Sequence, residues 1–380
     1  MIIGLFGFSF EDRNKGCEAL TYSFISVLNK IIPEGLTIIN LSGVGGVSRI
    51  SKNFPNIKFE VTGFQKENIR IRSFMKLLSC DCIFDCTFGD NFSDIYSLKF
   101  VNRTTNYKEL ALFFRKRFVL APQTIGPFHD EKLKKRVRKI LIRSDIVFSR
   151  DKLTTQYVKK ISGIDAVTVT DLAFLLPYDK TLYQLEKKKK IGINVSGLLW
   201  YGGFSQNNQF SLSVDYRKYI NNIIISLKDK GYQIHLIPHV FSENMDEIDE
   251  DSRICKELSK KYEIKYSGKF DNPIEAKSYI SNMEYFIGAR MHSTVAAFSS
   301  GVITIPFSYS RKFEGLYNSL NYYRIIDGKT LTTEEAVSRT LEFLDNIDKL
   351  RNEQILSLRL IDELSDKFKY ELAQYIQNIS

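Results

Sequence analysis

Arg290 and His292 stand two residues apart in Ala289-Arg290-Met291-His292-Ser293, and Tyr309, Arg311 and Lys312 follow closely. Arginine is a fixed planar cation that can grip a carboxylate or phosphate with two parallel hydrogen bonds. Histidine is the side chain whose proton moves near neutral pH. The combination suits an anionic substrate and a proton transfer. Four further places carry the same kind of chemistry. Asn14, Gly16 and Glu18 could grip a ligand through backbone amides and side chains, and Gln123 lies in a run of turn formers, Pro122 to Phe128. Arg150 precedes Asp151 with Asp171 further on, and His239 follows Pro238. Simpler roles compete at each: Arg290 in a surface ion pair, His292 as a helix cap, Arg150 paired with Asp151, and Asn14 and Glu18 as caps.

These residues must be positioned by the elements around them. Phe286 to Gly288 is an apolar run that reads as a buried strand, Thr294 to Ser300 as a tightly packed helix stopped by Gly301, and Val302 to Pro306 as another strand. Arg290, His292 and Ser293 are thereby placed after a strand and at a helix start, where unpaired backbone N–H groups attract anions. Tyr309, Arg311 and Lys312 follow the next strand and share its edge. Ligands of open α/β sheets collect at that edge. Arg150 has the same setting after a strand predicted over Asp145–Phe148, and Gln123 after one over Phe118–Ala121.

The same alternation runs through the chain. Strands are predicted over Ile2–Phe8, Leu36–Leu41, Cys82–Cys86, Val167–Val169, Ile191–Val195, Gln233–Ile237, Ile264–Tyr266 and Tyr323–Ile326. Helices are predicted between them, including Gly16–Ile32, Asn68–Leu78, Tyr107–Phe114 and Tyr216–Lys230. Residues 42–58 and 198–214 read as irregular. Strands alternating with helices on both sides of one linker give two Rossmann-like α/β domains with parallel sheets facing a central cleft. The boundaries are an N-terminal domain at 1–178, expected to be the acceptor side, a linker at 179–190, a C-terminal domain at 191–332, expected to be the donor side, and C-terminal helices at 333–380.

Composition narrows the function classes. With 43% hydrophobic residues in 380, the chain can bury a large core. The net charge of +10 admits anionic substrates or an anionic surface. Much of it lies in blocks such as Lys132–Arg138 and Lys187–Lys190, with no zinc-finger or RNA-binding signature, so nucleic acid is not expected. Cys80, Cys82 and Cys86 cluster but lack a fourth metal ligand, and core packing explains them. Asp85, Asp90 and Asp94 lack calcium-loop spacing, and turn capping accounts for them, with Asp90 kept as a candidate substrate contact. No metal and no cofactor is expected. No apolar run approaches the ~20 residues that span a bilayer, and no signal peptide opens the chain. A cytoplasmic protein is expected, with any membrane contact peripheral, at the inner face. His235 alternates inside a strand and reads as a core residue, and His129 as a helix cap.

The ordered set Asn14-Lys15-Gly16-Cys17-Glu18-Ala19-Leu20, Ala121 to Phe128, Ser149-Arg150-Asp151, Thr170-Asp171-Leu172-Ala173-Phe174, Ala289 to Ser293 and Tyr309-Ser310-Arg311-Lys312 resembles the polysaccharide pyruvyl transferase family. The resemblance spans roughly Met1 to Leu320. It implies a fold like the two-Rossmann-domain GT-B glycosyltransferases. It also implies phosphoenolpyruvate as donor and co-substrate, a glycan or lipid-linked sugar as acceptor, and a pyruvate ketal as product. Arg150, His292 and Lys312 would bind or process the donor, with His292 as acid/base, Arg150 and Arg290 as anion clamps, and Lys312 on the phosphate. Asp171 and Glu18 would orient or deprotonate an acceptor hydroxyl. Asn14, Gly16, Asp90, Gln123, His239, Ser293 and Tyr309 complete the expected substrate contacts. The family's glycine-rich turn after the third strand is replaced here by Thr87-Phe88-Gly89-Asp90-Asn91, which bears on the acceptor. Two other readings share these features: a glycosyltransferase or epimerase of the same architecture using a nucleotide sugar, and a non-enzymatic membrane-surface module.

Overall fold

A computed structural model describes residues 1–43, 45–63, 71–95, 97–183, 185, 189–242 and 247–379, without the side chains of Arg311, Lys312 and Glu314. The chain divides into two compact units, one of Met1–Asp12, Cys17–Leu175 and Asp362–Ser380, the other of Arg13–Gly16 and Leu176–Ile361.

The first unit runs β1 (Ile2–Phe6), α1 (Lys15–Ile31), β2 (Thr37–Asn40), α2 (Val47–Asn53), β3 (Lys58–Val61), α3 (Ile71–Ser79) and β4 (Cys82–Asp85). It continues through α4 (Leu98–Phe113), β5 (Arg117–Gln123), α5 (Glu131–Arg143), β6 (Ile146–Ser149), α6 (Lys152–Ser162) and β7 (Val167–Thr168). Its strands form a parallel sheet in the order β3-β2-β1-β4-β5-β6-β7. The order reverses direction between β1 and β4, which makes that the ligand-binding switch point.

The second unit runs β8 (Lys190–Asn194), α7 (Gly197–Trp200), α8 (Tyr216–Asp229), β9 (Gln233–Leu236), α9 (Asp251–Tyr262), β10 (Lys265–Tyr266) and α10 (Pro273–Ile280). Then come β11 (Tyr285–Gly288), α11 (Met291–Ser299), β12 (Ile303–Ser308), α12 (Arg311–Ser319), β13 (Ile326–Asp327), α13 (Thr333–Asp345) and α14 (Ile347–Gln377), whose residues from Asp362 onward belong to the first unit. The parallel sheet reads β10-β9-β8-β11-β12-β13, with its switch point between β8 and β11. Ile287 of β11 pairs with Ile193 of β8 on one side and Ile305 of β12 on the other. All three are buried, and each contributes about 1.5–3 kcal/mol of apolar burial. That packing fixes the strand whose end launches the Arg290 loop.

Several local expectations are corrected. Residues 42–58, read as irregular, contain α2 and lead into β3, and 198–214 begins with α7. Helix α4 starts at Leu98, nine residues before the predicted Tyr107, because its buried face includes Thr105 and Lys108 and so lacks an apolar rhythm. The predicted helix from Asn68 begins outside the described residues and is seen from Ile71. Cys80, Cys82 and Cys86 are buried free thiols, and burial pushes the Cys80 thiol up to about 12. Among the described residues no helix is long and apolar enough to cross a membrane.

Candidate active site

In the second unit the site is built at the β8/β11 switch point. Strand β11 ends at Gly288, and Arg290 takes extended backbone angles as the N-cap of α11. Its N–H donates to Oδ1 of Asn194, the last residue of β8, at 2.9 Å. Ser293 donates its hydroxyl to the Arg290 carbonyl at 2.7 Å, so this predicted substrate contact ties down the first helical turn. The Arg290 guanidinium is buried against two carboxylates, Asp251 at 2.7 Å and Asp249 at 2.6 Å. Burial alone would lower its pKa, but Asp251 and Asp249 outweigh that and hold it charged, above its usual range.

Asp251 is the hub of this arrangement. It opens α9, is fully buried, and accepts from the backbone N–H groups of Gly197 (2.9 Å), His239 (3.1 Å) and Val240 (3.1 Å) as well as from Arg290. Neither aspartate stood out in the sequence, where they sit in the acidic run Asp246–Asp251.

His239 follows β9 and is 3% exposed. Neither of its ring nitrogens has a hydrogen-bond partner among the described residues. Burial, followed by the nearby positive fields of His292, Arg290 and Lys15, holds its pKa well below the ordinary imidazole value. A neutral ring is therefore present at pH 7, with one N–H donor and one acceptor nitrogen. The segment Arg13–Gly16 completes the cluster. Lys15 donates its N–H to the His239 carbonyl at 3.0 Å, and Asn14 forms an antiparallel bridge with Val240. The buried Lys15 ammonium lies 5.9 Å from the Phe241 ring centre. Asn14 accepts from the Gly16 N–H at 2.9 Å, which is a capping role. Gly16 abuts the His292 imidazole: a Cβ there would lie 2.3 Å from Nδ1. Tyr309 packs edge-on against Phe210, with ring centres 5.0 Å apart. Burial raises its hydroxyl pKa, with Arg290 working against that and Asp249 and Asp251 adding to it. Lys312 falls in the first turn of α12, and its side chain lies outside the described residues.

The first unit gathers Arg150, Gln123 and Asp171. Arg150 pairs with Asp171 at 2.9 Å, both buried, rather than with Asp151. Asp151 instead caps α6 by accepting from the Thr154 N–H at 2.7 Å. Gln123 donates to the Asp85 carbonyl at 2.6 Å. Asp85 also pairs with the fully buried Lys108 at 3.0 Å and accepts from Thr87 at 2.6 Å. Burial pulls the Lys108 pKa down, with Asp85 opposing it. Glu18 accepts from the Asp12 N–H at 2.7 Å and pairs with Arg49 at 3.2 Å, so its carboxylate closes the preceding loop. Asp90 is half-buried just past the Thr87–Gly89 turn. Asp94 accepts from the Asp130 N–H at 2.9 Å and from the His129 ring at 2.9 Å. The cap of α5 is Asp130 and not His129, whose side chain is exposed.

Arg290 faces two carboxylates and Arg150 one, which limits what charge they add to a bound anion. In the second unit the start of α11 presents backbone amides suited to an anion, and the His239 and His292 imidazoles and Lys15 belong to the same cluster.

A family model described as polysaccharide pyruvyl transferase matches residues 14–311. No curated protein matches the chain. Among solved structures, the S. aureus MnaA–UDP co-structure aligns with a TM-score of 0.60 at 12% identity, covering 98% of this chain and 96% of that one. The UDP-GlcNAc 2-epimerase from Neisseria meningitidis bound to UDP-GlcNAc gives 0.57 at 10%, covering 96% and 99%. The trehalose-6-phosphate synthase OtsA gives 0.56 at 9%, covering 100% and 98%. At such identity these likenesses show a shared GT-B-like architecture of two parallel-sheet α/β domains, and fold alone does not set function.

Proposed function

Because the chain belongs to the polysaccharide pyruvyl transferase family, we propose that it moves the enolpyruvyl group of phosphoenolpyruvate onto two hydroxyls of a sugar in a bacterial cell-surface polysaccharide or its precursor, closing a pyruvate ketal. The observation that carries the donor assignment is the cluster of His239, His292, Lys15 and the start of α11 in the second unit. Buried polar atoms are nearly always hydrogen-bonded. Two unsatisfied ring nitrogens on His239, among cationic neighbours, support a ligand with anionic oxygens there.

The reaction needs C3 of the donor protonated, so that CH₂ becomes CH₃ and positive charge develops at C2. One sugar hydroxyl adds to C2 and the C2–O bond to phosphate breaks. The second hydroxyl then attacks C2. Of the two hydroxyl protons released, one balances the proton taken up by C3 and the other leaves on phosphate. His292 is assigned as the group that delivers and recovers protons, the task for which an imidazole is suited near neutral pH. Neutral His239 hydrogen-bonds a donor oxygen without placing another charge beside it. Arg290, held by Asp249 and Asp251, keeps the loop in place and adds to the field. Phosphate leaves most readily when these dipoles and cations are preorganised around it.

Thermal-shift measurements separate this reading from a nucleotide-sugar enzyme. Phosphoenolpyruvate is expected to raise the melting temperature and UDP to leave it unchanged. Stabilisation by UDP and not by phosphoenolpyruvate would overturn the proposal.

A further inference from the structure

The first unit holds a second pocket that the donor chemistry does not use. It lies at the β1/β4 switch point and encloses about 60 Å³, lined among others by Ser42, Thr87, Phe88, Phe100, Arg103 and Tyr107. We infer that this pocket recognises the edge of a pyranose ring of the acceptor, an assignment that rests on the sugar-modifying reaction proposed above.

The pocket floor is held at conformational expense. Thr87 (φ 41°), Phe88 (φ 56°) and Gly89 (φ 88°) are three consecutive left-handed residues. Left-handed angles disfavour side-chain-bearing residues, and they persist where surrounding structure enforces them, often at binding sites. Here the enforcement is visible. Thr87 is held between Asp85 at 2.6 Å and the buried Lys108 ammonium at 2.8 Å. Gly7, at φ 65°, lets the end of β1 pass so close that a Cβ there would lie 2.4 Å from the Thr87 nitrogen. The strained turn presents Phe88 at the pocket.

The lining selects the ligand. Phe88, Phe100 and Tyr107 are half-buried rings, with Phe88 and Phe100 centres 6.1 Å apart and Tyr107 stacked on Phe6 at 5.8 Å. Such faces accept the C–H side of a sugar. The Ser42 hydroxyl already accepts from the Gly7 N–H at 2.7 Å and keeps its own proton to donate. Arg103 is exposed at the rim, 5.5 Å from the Phe100 ring centre, and no carboxylate among the described residues pairs with it. Aromatic faces beside a few hydroxyl-directed donors fit a sugar better than a simple anion.

The test uses the full chain and a panel of methyl glucoside, methyl galactoside and methyl N-acetylglucosaminide, with saturation-transfer NMR reporting contact. At least one hexoside is expected to receive saturation. Phe100→Ala and Arg103→Ala should each weaken its binding about tenfold, while phosphoenolpyruvate still raises the melting temperature of both variants. If no hexoside receives saturation, or if both variants bind as the wild type does, the pocket assignment is overturned. Hexoside contact that depends on Phe100, in a protein that ignores phosphoenolpyruvate, would uphold the pocket and sink the donor assignment instead.

Discussion

The methylene of Gly16 faces the imidazole of His292 at a distance that no side chain could occupy, since a Cβ there would lie 2.3 Å from Nδ1. The glycine is required by close approach and not by its backbone angles. Gly16→Ala must push the ring aside. A displacement near 1 Å at a reacting group costs about 10²-fold in rate. Phosphate release from phosphoenolpyruvate in the presence of acceptor is therefore expected to fall by roughly that factor. Retention of full turnover in Gly16→Ala would show that the position of His292 is unimportant.

Asp251 neutralises Arg290 and satisfies three backbone N–H groups. Removing one member of a buried ion pair strands the other, at a cost of about 3–5 kcal/mol. Asp251→Ala should lower the urea-unfolding stability by about that amount, and Asp251→Asn, which keeps an acceptor oxygen, by less. Equal, small losses in both variants would mean that the pair contributes little to holding the loop.

The buried histidines make stability fall with acid. Burial lowers His235 to about 4, with Lys265 and Lys190 adding to the effect, and His239 is lowered in the same direction. An unfolded histidine titrates near 6.5. Below that pH the unfolded chain takes up protons that the native chain refuses, so native stability drops as pH falls from about 6.5 toward 4. Denaturant midpoints measured between pH 7 and pH 5 should decline in the wild type and flatten in a His235→Gln, His239→Gln double variant. An unchanged slope in the double variant would assign the acid sensitivity to other groups.

Much of this molecule was legible in its sequence because strand ends carry distinctive punctuation. The apolar run to Gly288 followed by Arg290 and His292 placed β11, the turn and α11 in order. The core histidine His235 was also readable, and its ring bonds to the Tyr279 hydroxyl at 2.7 Å. What stayed hidden depends on partners distant in sequence. Lys108 on a helix reads as a solvent-facing cation, and its burial appears only when β4 brings Asp85 beside it. Asp251 reads as one of several acidic residues, and Arg290, its partner 39 positions away, gives no local sign of it. The short elements α2 and β3 escaped because glycines and polar residues around them mask a single buried stripe.

One assay tests phosphoenolpyruvate as the donor directly. The protein is incubated with phosphoenolpyruvate and a panel of glycan acceptors, and both inorganic phosphate and the mass of the acceptor are followed. Phosphate and pyruvylated acceptor should appear in equal amounts, with the rate reduced roughly 10²–10⁴-fold in His292→Ala. Modification of an acceptor from a UDP-sugar, with phosphoenolpyruvate left intact, would contradict it.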